Sequence, residues 1–188
     1  NAQIDGMSTL RINTSLPLIK SKNTIKQTLT PRMSLRINPG NNMNNYSSSS
    51  VNINANNVFD INRLGITNDF EEGRSLTLGL DYKLDKGKNN QTEEIEHKYL
   101  ELKLATVIRD QSENNIPASS TINQKNSDLF GSINSHLFDN IDLTYDFSLD
   151  NDMKTLNSNA IETKISINNF ITTFNFIEQR NEIGSTHL

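Results

Sequence analysis

The sequence predicts an all-β fold: a portion of an antiparallel up-and-down transmembrane β-barrel, with about eight strands that belong to a larger barrel. Three observations predict it: apolar and polar residues alternate in eight segments, long and short connections alternate between them, and hydrophobic residues make up only 34% of the chain. Alternation places apolar side chains on one face of a strand and polar side chains on the other. A barrel with a wet interior needs only one apolar face per strand, so it accommodates the low apolar content.

The eight segments recur along the whole chain, and none of them has the 3.6-residue spacing of a helix. In chain order they are LRINTSLPLIK, TIKQTLTPRMSLRIN, RSLTLGLDYKLD, YLELKLATVIR, SDLFGSINSHLF, IDLTYDFSLD, AIETKISIN and FITTFNFIEQR. The third and sixth alternate strictly, whereas the fifth is irregular because Phe130 is out of phase with Leu129 and Ile133. The first two contain Pro17 and Pro31, each of which removes one ladder hydrogen bond. We expect each proline to interrupt its strand with a local distortion. The alternative is that the prolines weaken strand pairing at a gate in the barrel wall.

The connections differ in length on the two sides of the predicted sheet. Tight turns join the first and second segments through SKN, the fifth and sixth through DN, and the last two near Asn168 and Asn169. Asparagine suits the left-handed backbone of such hairpins. Long connections run from about Pro39 to Gly73 and through DQSENNIPASSTINQ, with KGKNNQTEEIEH as an exception on the short side. Outer-membrane barrels have short periplasmic turns and longer external loops, which is the asymmetry seen here.

A soluble antiparallel sandwich also alternates, so alternation alone does not identify lipid as the partner of the apolar face. The segments are ~10–14 residues long, as a tilted membrane strand requires, whereas ~5–6 is common in globular proteins. The polar positions are often charged, and no apolar helix is available to cover the sheet. Eight strands could close a small barrel by themselves. Both chain ends adjoin strand patterns, so residues 1–188 are predicted to be an internal fragment of one larger barrel domain.

Composition bounds the chemistry as well. Net charge is −4, and the basic residues form no run of the kind that tracks nucleic-acid phosphates. The absence of cysteine excludes disulfides and thiolate metal sites within the chain. No nucleophile elbow and no phosphate-binding glycine loop is present. We therefore predict no catalytic residue, no metal site and no cofactor.

The segment NVFDINRLG lies in the first long connection and has near-helical spacing of its apolar residues. Val58, Phe59, Ile61 and Leu64 carry this spacing, and Asn57 could cap a short helix or turn. An external loop of this kind either folds inward over the barrel interior or packs on its own rim.

Three stretches resemble the C-terminal barrel region of one family of outer-membrane proteins. They are LTPRMSLRINPG, NNVFDINRLGITNDFEEGRSLTLGLDY and SHLFDNIDLTYDFSLDNDMKTLNSNAIETKISIN, of which the second is the most specific. The family is the lipopolysaccharide-assembly protein LptD, also called OstA or Imp. The resemblance implies a cell outer-membrane translocon, not an enzyme, that inserts lipopolysaccharide into the outer leaflet.

The resemblance also implies partners. These are lipopolysaccharide, an LptE-like plug lipoprotein inside the barrel, outer-membrane lipid, and a periplasmic LptA-like bridge that docks on a jellyroll domain outside this segment. A general outer-membrane porin and a soluble Asn-rich β-sheet adhesin are the alternative functions.

Charged residues on the polar phase of the segments are the predicted lining of the lumen, where opposite charges can pair across neighbouring strands. They are Arg32, Arg36, Asp81, Lys83, Glu101, Lys103, Arg109, Asp142, Asp146, Glu162 and Lys164. Their expected roles are to keep the interior wet and to contact a plug or a sugar chain.

Overall fold

The computed structural model describes residues 8–40, 43–67, 69–87 and 98–180, and it consists of one antiparallel sheet. Its strands are β1 (Leu10–Ser15), β2 (Leu18–Lys22), β3 (Ile25–Asn38), β4 (Gly73–Lys86), β5 (Lys98–Arg109), β6 (Leu129–Phe138), β7 (Ile141–Leu149), β8 (Leu156–Ile167) and β9 (Phe170–Gln179). A single 3-10 turn, Ala118–Ser120, lies between β5 and β6. No helix within the described ranges is long and apolar enough to cross a membrane.

Each strand pairs with the strand that follows it, apart from β1, which pairs with β3 beside β2. Because β1 and β2 share one side of β3, the nine strands occupy eight positions, one for each alternating segment. The predicted all-β, antiparallel up-and-down architecture is confirmed. Over the described residues the sheet is open, with β1 and β2 at one edge and β9 at the other.

The two prolines have different consequences for their strands. Pro17 separates β1 from β2, whereas β3 continues through Pro31, so the expected interruption at Pro31 is wrong. The Leu16 amide donates to the Pro31 carbonyl at 3.1 Å. In an antiparallel pair a residue's N and C=O point to the same neighbour, so the Pro31 nitrogen faces the gap between β1 and β2. Proline has no backbone N–H, and at Pro31 this costs no ladder hydrogen bond because the neighbouring strand is already broken at that point.

The short turns have the backbone that the sequence predicts. Asn23, between β2 and β3, and Asn168, between β8 and β9, each have φ 53°. Asparagine tolerates this left-handed region better than most residues, because its side chain can hydrogen-bond locally. These turns lie at one rim of the sheet, and the connections 39–72, 110–128 and 150–155 lie at the other.

The pairing register gives the sheet two chemically different faces. The apolar face carries rows such as Leu29, Tyr82, Leu102, Ile133 and Tyr145, which are directly opposite one another on successive strands. The polar face carries rows such as Asp81, Lys103, Ser132 and Asp146. A one-residue slip would exchange the faces completely, so this agreement between pattern and pairing fixes the register.

No part of the described chain covers the apolar face. Leu78, Leu80 and Leu104 lie well inside their strands, yet they are 38–41% exposed. Aromatic side chains lie flat on this face: the Phe147 ring covers Gly131 and stacks with Tyr145 at a centroid distance of 5.5 Å. An exposed apolar surface of this extent marks an interface with another molecule or with a membrane.

The hydrophobic core lies instead on the polar face, beneath the two long connections. We call residues 43–67 and 69–72 the first loop and residues 110–128 the second loop. The buried apolar residues are Met43, Ile53, Ala55, Val58, Phe59, Leu64, Ile66, Ala105, Val107, Ile116, Ile122 and Phe130. Most belong to the loops, and the strands contribute only Ala105, Val107 and Phe130. Phe130 is out of phase with the other apolar residues of β6 because its ring points away from the apolar face and into this core.

Candidate functional site on the polar face

All eleven charged residues predicted to line the lumen lie on the polar face, but they fall into two groups. The first, which we call the partly exposed group, has side chains of intermediate exposure or, at Lys83, Glu162 and Lys164, full exposure. It comprises Arg32, Asp81, Lys83, Glu101, Lys103, Asp142, Asp146, Glu162 and Lys164. The remaining two, Arg36 and Arg109, are buried beneath the first loop and are 4% exposed each. That the first group lines a lumen stays a prediction.

Opposite charges in the partly exposed group are neighbours across the sheet. Asp81 is opposite Lys103, and its carboxylate accepts a hydrogen bond from Arg32 at 3.2 Å. Asp142 is opposite Lys164 on the next strand. Cross-strand ion pairs of this kind contribute roughly 0.2–1 kcal/mol each relative to alanine pairs. They organise a hydrated surface and add little to its stability.

The buried group forms a charge cluster around a loop carboxylate. Glu71 accepts hydrogen bonds from Arg63 at 2.5 and 2.6 Å and from Arg109 at 2.5 Å, and the Arg36 Nε lies 3.7 Å from it. We call these four residues the Glu71 cluster. Arg63 and Glu71 come from the first loop, whereas Arg36 and Arg109 come from β3 and β5. The cluster therefore joins loop to sheet through charge-assisted hydrogen bonds, which are stronger than neutral ones.

Two arginines of the cluster, Arg63 and Arg36, are also fixed by neutral partners. Arg63 donates to the Thr77 hydroxyl at 2.9 Å and to the Ser75 hydroxyl at 3.0 Å, both on β4. Arg36 donates to the carbonyl oxygens of Asp60, at 2.6 Å, and Ile61. Together with the bonds to Glu71 they occupy every nitrogen of Arg63, as burial of such a group requires, whereas the buried Arg109 Nε has no hydrogen-bond partner.

Burial and the arginines act on Glu71 in opposite directions. Burial alone would raise the pKa of the Glu71 carboxyl, but Arg63, with smaller contributions from Arg36 and Arg109, lowers that pKa from 4.5 to about 2. The carboxylate is thus charged at any physiological pH. Removing it would leave three buried guanidinium groups around an empty centre.

Phe59 is a second anchor of the first loop. Its ring lies over Gly79 of β4, where an added Cβ would be 2.7 Å from the ring. The Arg32 guanidinium covers the same ring at 4.0 Å from the centroid, a favourable cation–π geometry. Arg11 donates to the Phe59 carbonyl at 2.5 Å. Glycine at position 79 is required because the ring packs directly on the backbone.

The two loops also bind each other. The Tyr46 amide donates to the Asn115 carbonyl at 2.9 Å, and the Val51 amide donates to the Ser119 hydroxyl at 2.9 Å. The second loop returns along β5, where the Arg109 amide donates to the Lys125 carbonyl at 2.7 Å. The first loop reaches the sheet by turns, without a helix at NVFDINRLG: Val58 donates to the Asn54 carbonyl and Asp60 to that of Asn57. The segment folds inward over the polar face, one of its two predicted placements.

A polar cleft of about 460 Å³ remains between the loops and β6–β9. Ser50, Asn52 and Gln124 from the loops face Asn157 and Ser158 of β8 across it. At its base Asp128 accepts hydrogen bonds from the Ser148 hydroxyl at 2.5 Å and from the Asn157 amide at 2.8 Å. The lining offers hydroxyl and amide groups that both donate and accept. It can hydrogen-bond a hydroxyl-rich molecule.

Metal chemistry has no support in the part of the chain that the structure describes, where no cluster of three or more potential ligands occurs.

Sequence reasoning missed Arg63 and Glu71, because loop residues have no periodicity that could assign them to a face. One signal was present. Ala105, Val107 and Phe130 are apolar residues on polar phases, and together they indicate that part of the polar face is covered.

Comparison with known proteins agrees with the fold and with the two-faced sheet. No curated protein matches the chain significantly. The sequence profile of the family described as LptD, LPS transport system D, matches residues 3–186, which is nearly the whole chain. Such coverage shows the family, and it confirms the resemblance carried by the loop motif and the strands around it. The chain belongs to the LptD family of the lipopolysaccharide transport system.

Proposed function

We propose that residues 1–188 form part of a single outer-membrane β-barrel domain, and that this barrel belongs to the translocon that assembles lipopolysaccharide into the outer leaflet. One observation supports the proposal beyond family membership: the sheet is inverted relative to a soluble protein. Its packed core and buried ion cluster lie on the polar face, and its apolar face is uncovered. A wall between lipid and a hydrated lumen requires this arrangement.

In this role the partly exposed charged residues line the lumen, and the two loops narrow it from the long-loop rim. The polar cleft lies beside the loops, where it offers hydrogen-bonding groups to the sugar portion of lipopolysaccharide. An LptE-like lipoprotein would occupy the remaining lumen. A periplasmic LptA-like bridge would deliver lipid to a domain outside these strands. No step in this function requires a catalytic group.

The experiment that tests the proposal is complementation in cells depleted of the native full-length protein. The substitution Glu71→Gln should detach the first loop from the wall, because it removes the charge that neutralises Arg63 and Arg109. We expect reduced display of lipopolysaccharide at the cell surface at equal barrel abundance. Asp60→Asn is the matched control, since Asp60 lies in the same loop with an exposed side chain.

A porin would give a different result in the same strains. If full-length protein conducts small ions freely, binds neither plug lipoprotein nor lipopolysaccharide, and leaves surface lipopolysaccharide unchanged on depletion, the assembly function is wrong. A stable monomer that stays soluble without detergent would contradict the barrel itself.

A further inference from the structure

Four lysines lie on the apolar face at the rim of the short turns, among leucine and isoleucine residues and one glutamine, Gln27. They are Lys20 and Lys22 of β2, Lys86 of β4 and Lys98 of β5, and we call them the lysine patch. The pairing register places them together: Lys22 is opposite Ile25, Ile25 is opposite Lys86, and Lys86 is opposite Lys98. Lys20 lies one outward-facing position further into β2.

The arrangement is unfavourable for the protein alone. Lys86 and Lys98 are directly opposite each other on the same face, and like charges in this position destabilise a sheet. Asp139 forms an ion pair with Lys98. Lys20, Lys22 and Lys86 are exposed, and they form no ion pair with any residue that the structure describes. Within the described residues, their positive charge has no carboxylate partner.

The patch begins where the apolar rows of the same strands end. Leu84 is opposite Leu100 in the row next to Lys86 and Lys98, and Leu18 is opposite Leu29 on β2 and β3. Lysine can lay its aliphatic stem along such an apolar surface while its ammonium group extends to the polar boundary. At a membrane wall this boundary is the headgroup region.

The positive charge of the lysine patch is local and does not continue along the rim of the sheet. At the same rim, the outward positions of β8 and β9 are Ile165, Ile167, Phe170 and Thr172, none of which is charged. At the opposite rim, the outward-facing Arg74 is paired with Asp110 at 3.1 Å. A net positive surface is thus confined to β2, β4 and β5.

We propose that the lysine patch binds the headgroups of anionic phospholipids in the periplasmic leaflet of the outer membrane. Short turns lie at the periplasmic rim of outer-membrane barrels, and clustered lysines at a membrane surface attract anionic lipids. The site is separate from the polar face. It rests on the outer-membrane barrel of the proposed function but not on lipopolysaccharide assembly, so the patch can fail while the barrel stands.

The test uses full-length protein in vesicles of phosphatidylethanolamine, with or without phosphatidylglycerol, and measures the urea midpoint of unfolding. Phosphatidylglycerol should raise the midpoint of the native protein. The triple variant Lys20→Gln, Lys22→Gln, Lys86→Gln should lose most of that rise while unfolding normally in phosphatidylethanolamine alone. The three corresponding arginine substitutions should retain it. In about 1 M salt, where the Debye length is ~3 Å, the rise should shrink in every variant.

The matched control replaces three lysines of the polar face, Lys26→Gln, Lys83→Gln and Lys103→Gln, and removes the same charge. It should keep the full response to phosphatidylglycerol. An unchanged response in the patch variant would overturn the proposal, and so would an equal loss in the control. If lipopolysaccharide vesicles produce a larger rise that the patch variant abolishes, the patch faces the opposite leaflet and the proposal is wrong.

Discussion

The polar face has two regions that differ in what covers it. Along β4, β5 and β6 the two loops pack on the sheet, and Thr77, Val107 and Ser132 are buried beneath or beside them. Along β8 and β9 the loops cover much less, and Lys164, Thr173 and Asn175 are exposed. Both regions have the same period-two alternation. The difference shows that alternation reports which face is apolar but not whether the polar face is covered.

The largest effect should come from breaking the centre of the covered region. Glu71→Gln removes the negative charge that three buried arginines share, and loss of one partner of a buried ion pair costs about 3–5 kcal/mol. Urea unfolding of full-length protein in detergent measures this loss. Limited proteolysis should show earlier cleavage of the first loop. Asp60→Asn should change neither result, and equal stability of the two variants would mean that the cluster does not hold the loop.

A charge on the apolar face should have the next largest effect. Leu78→Arg places a guanidinium group in the lipid near the middle of β4, at a cost of about 2–4 kcal/mol. Lys83→Arg, on the polar face of the same strand, should cost little. Refolding into vesicles over a urea series measures both variants. Equal tolerance at the two positions would contradict the assignment of the faces.

Two glycines allow the covered and uncovered surfaces to be compared with the same substitution. Gly79→Ala forces a methyl group against Phe59, which is enclosed by the first loop and Arg32, so we expect about 1–3 kcal/mol of destabilisation from overpacking. Gly131→Ala meets Phe147, whose ring lies on the apolar face, where no loop encloses it. The loss at position 131 should be smaller when both midpoints of unfolding are measured. A larger loss there would mean that the outer ring is as confined as the inner one.

Acid should weaken the covered region gradually. The pKa of Glu71 is lowered in the folded state, from 4.5 to about 2, so its contribution is complete above 4.5 and is lost as pH falls toward 2. Lowering the pH from 4.5 by one unit should reduce the free energy of unfolding by about 1 kcal/mol. Proteolysis of the first loop with an acid-active protease follows the change. The Glu71→Gln variant should not show this contribution, and an identical pH response in both proteins would assign it to other groups.

The sheet could be predicted from the sequence because its physical signal is local. Leu76, Leu78 and Leu80 fall on one parity, and the tight turn at Asn23 sets the register of the adjoining strands. Pro17 and Pro31 look alike in the sequence, although only Pro17 breaks a strand. The Pro31 nitrogen faces the gap between β1 and β2, and the sequence of one strand does not contain that information.

The Glu71 cluster could not be predicted for a related reason. Arg63 and Glu71 are eight residues apart in an aperiodic loop, and their partners Arg36 and Arg109 come from strands far away in the sequence. The two strand arginines were assigned to the polar face correctly. Their burial follows from the path of the loop, which is a tertiary property.

The central claim is that one face of the sheet contacts lipid while the loops close over part of the other. Adjacent residues of β4 test it most directly. In a full-length protein without other cysteines, single spin labels at Leu78→Cys and Thr77→Cys would be measured in vesicles for collision with oxygen and with a water-soluble nickel chelate. The label at position 78 should collide with oxygen and not with the chelate, and the label at position 77 should be protected from both. Chelate access at position 78, or free access at position 77, would contradict the account.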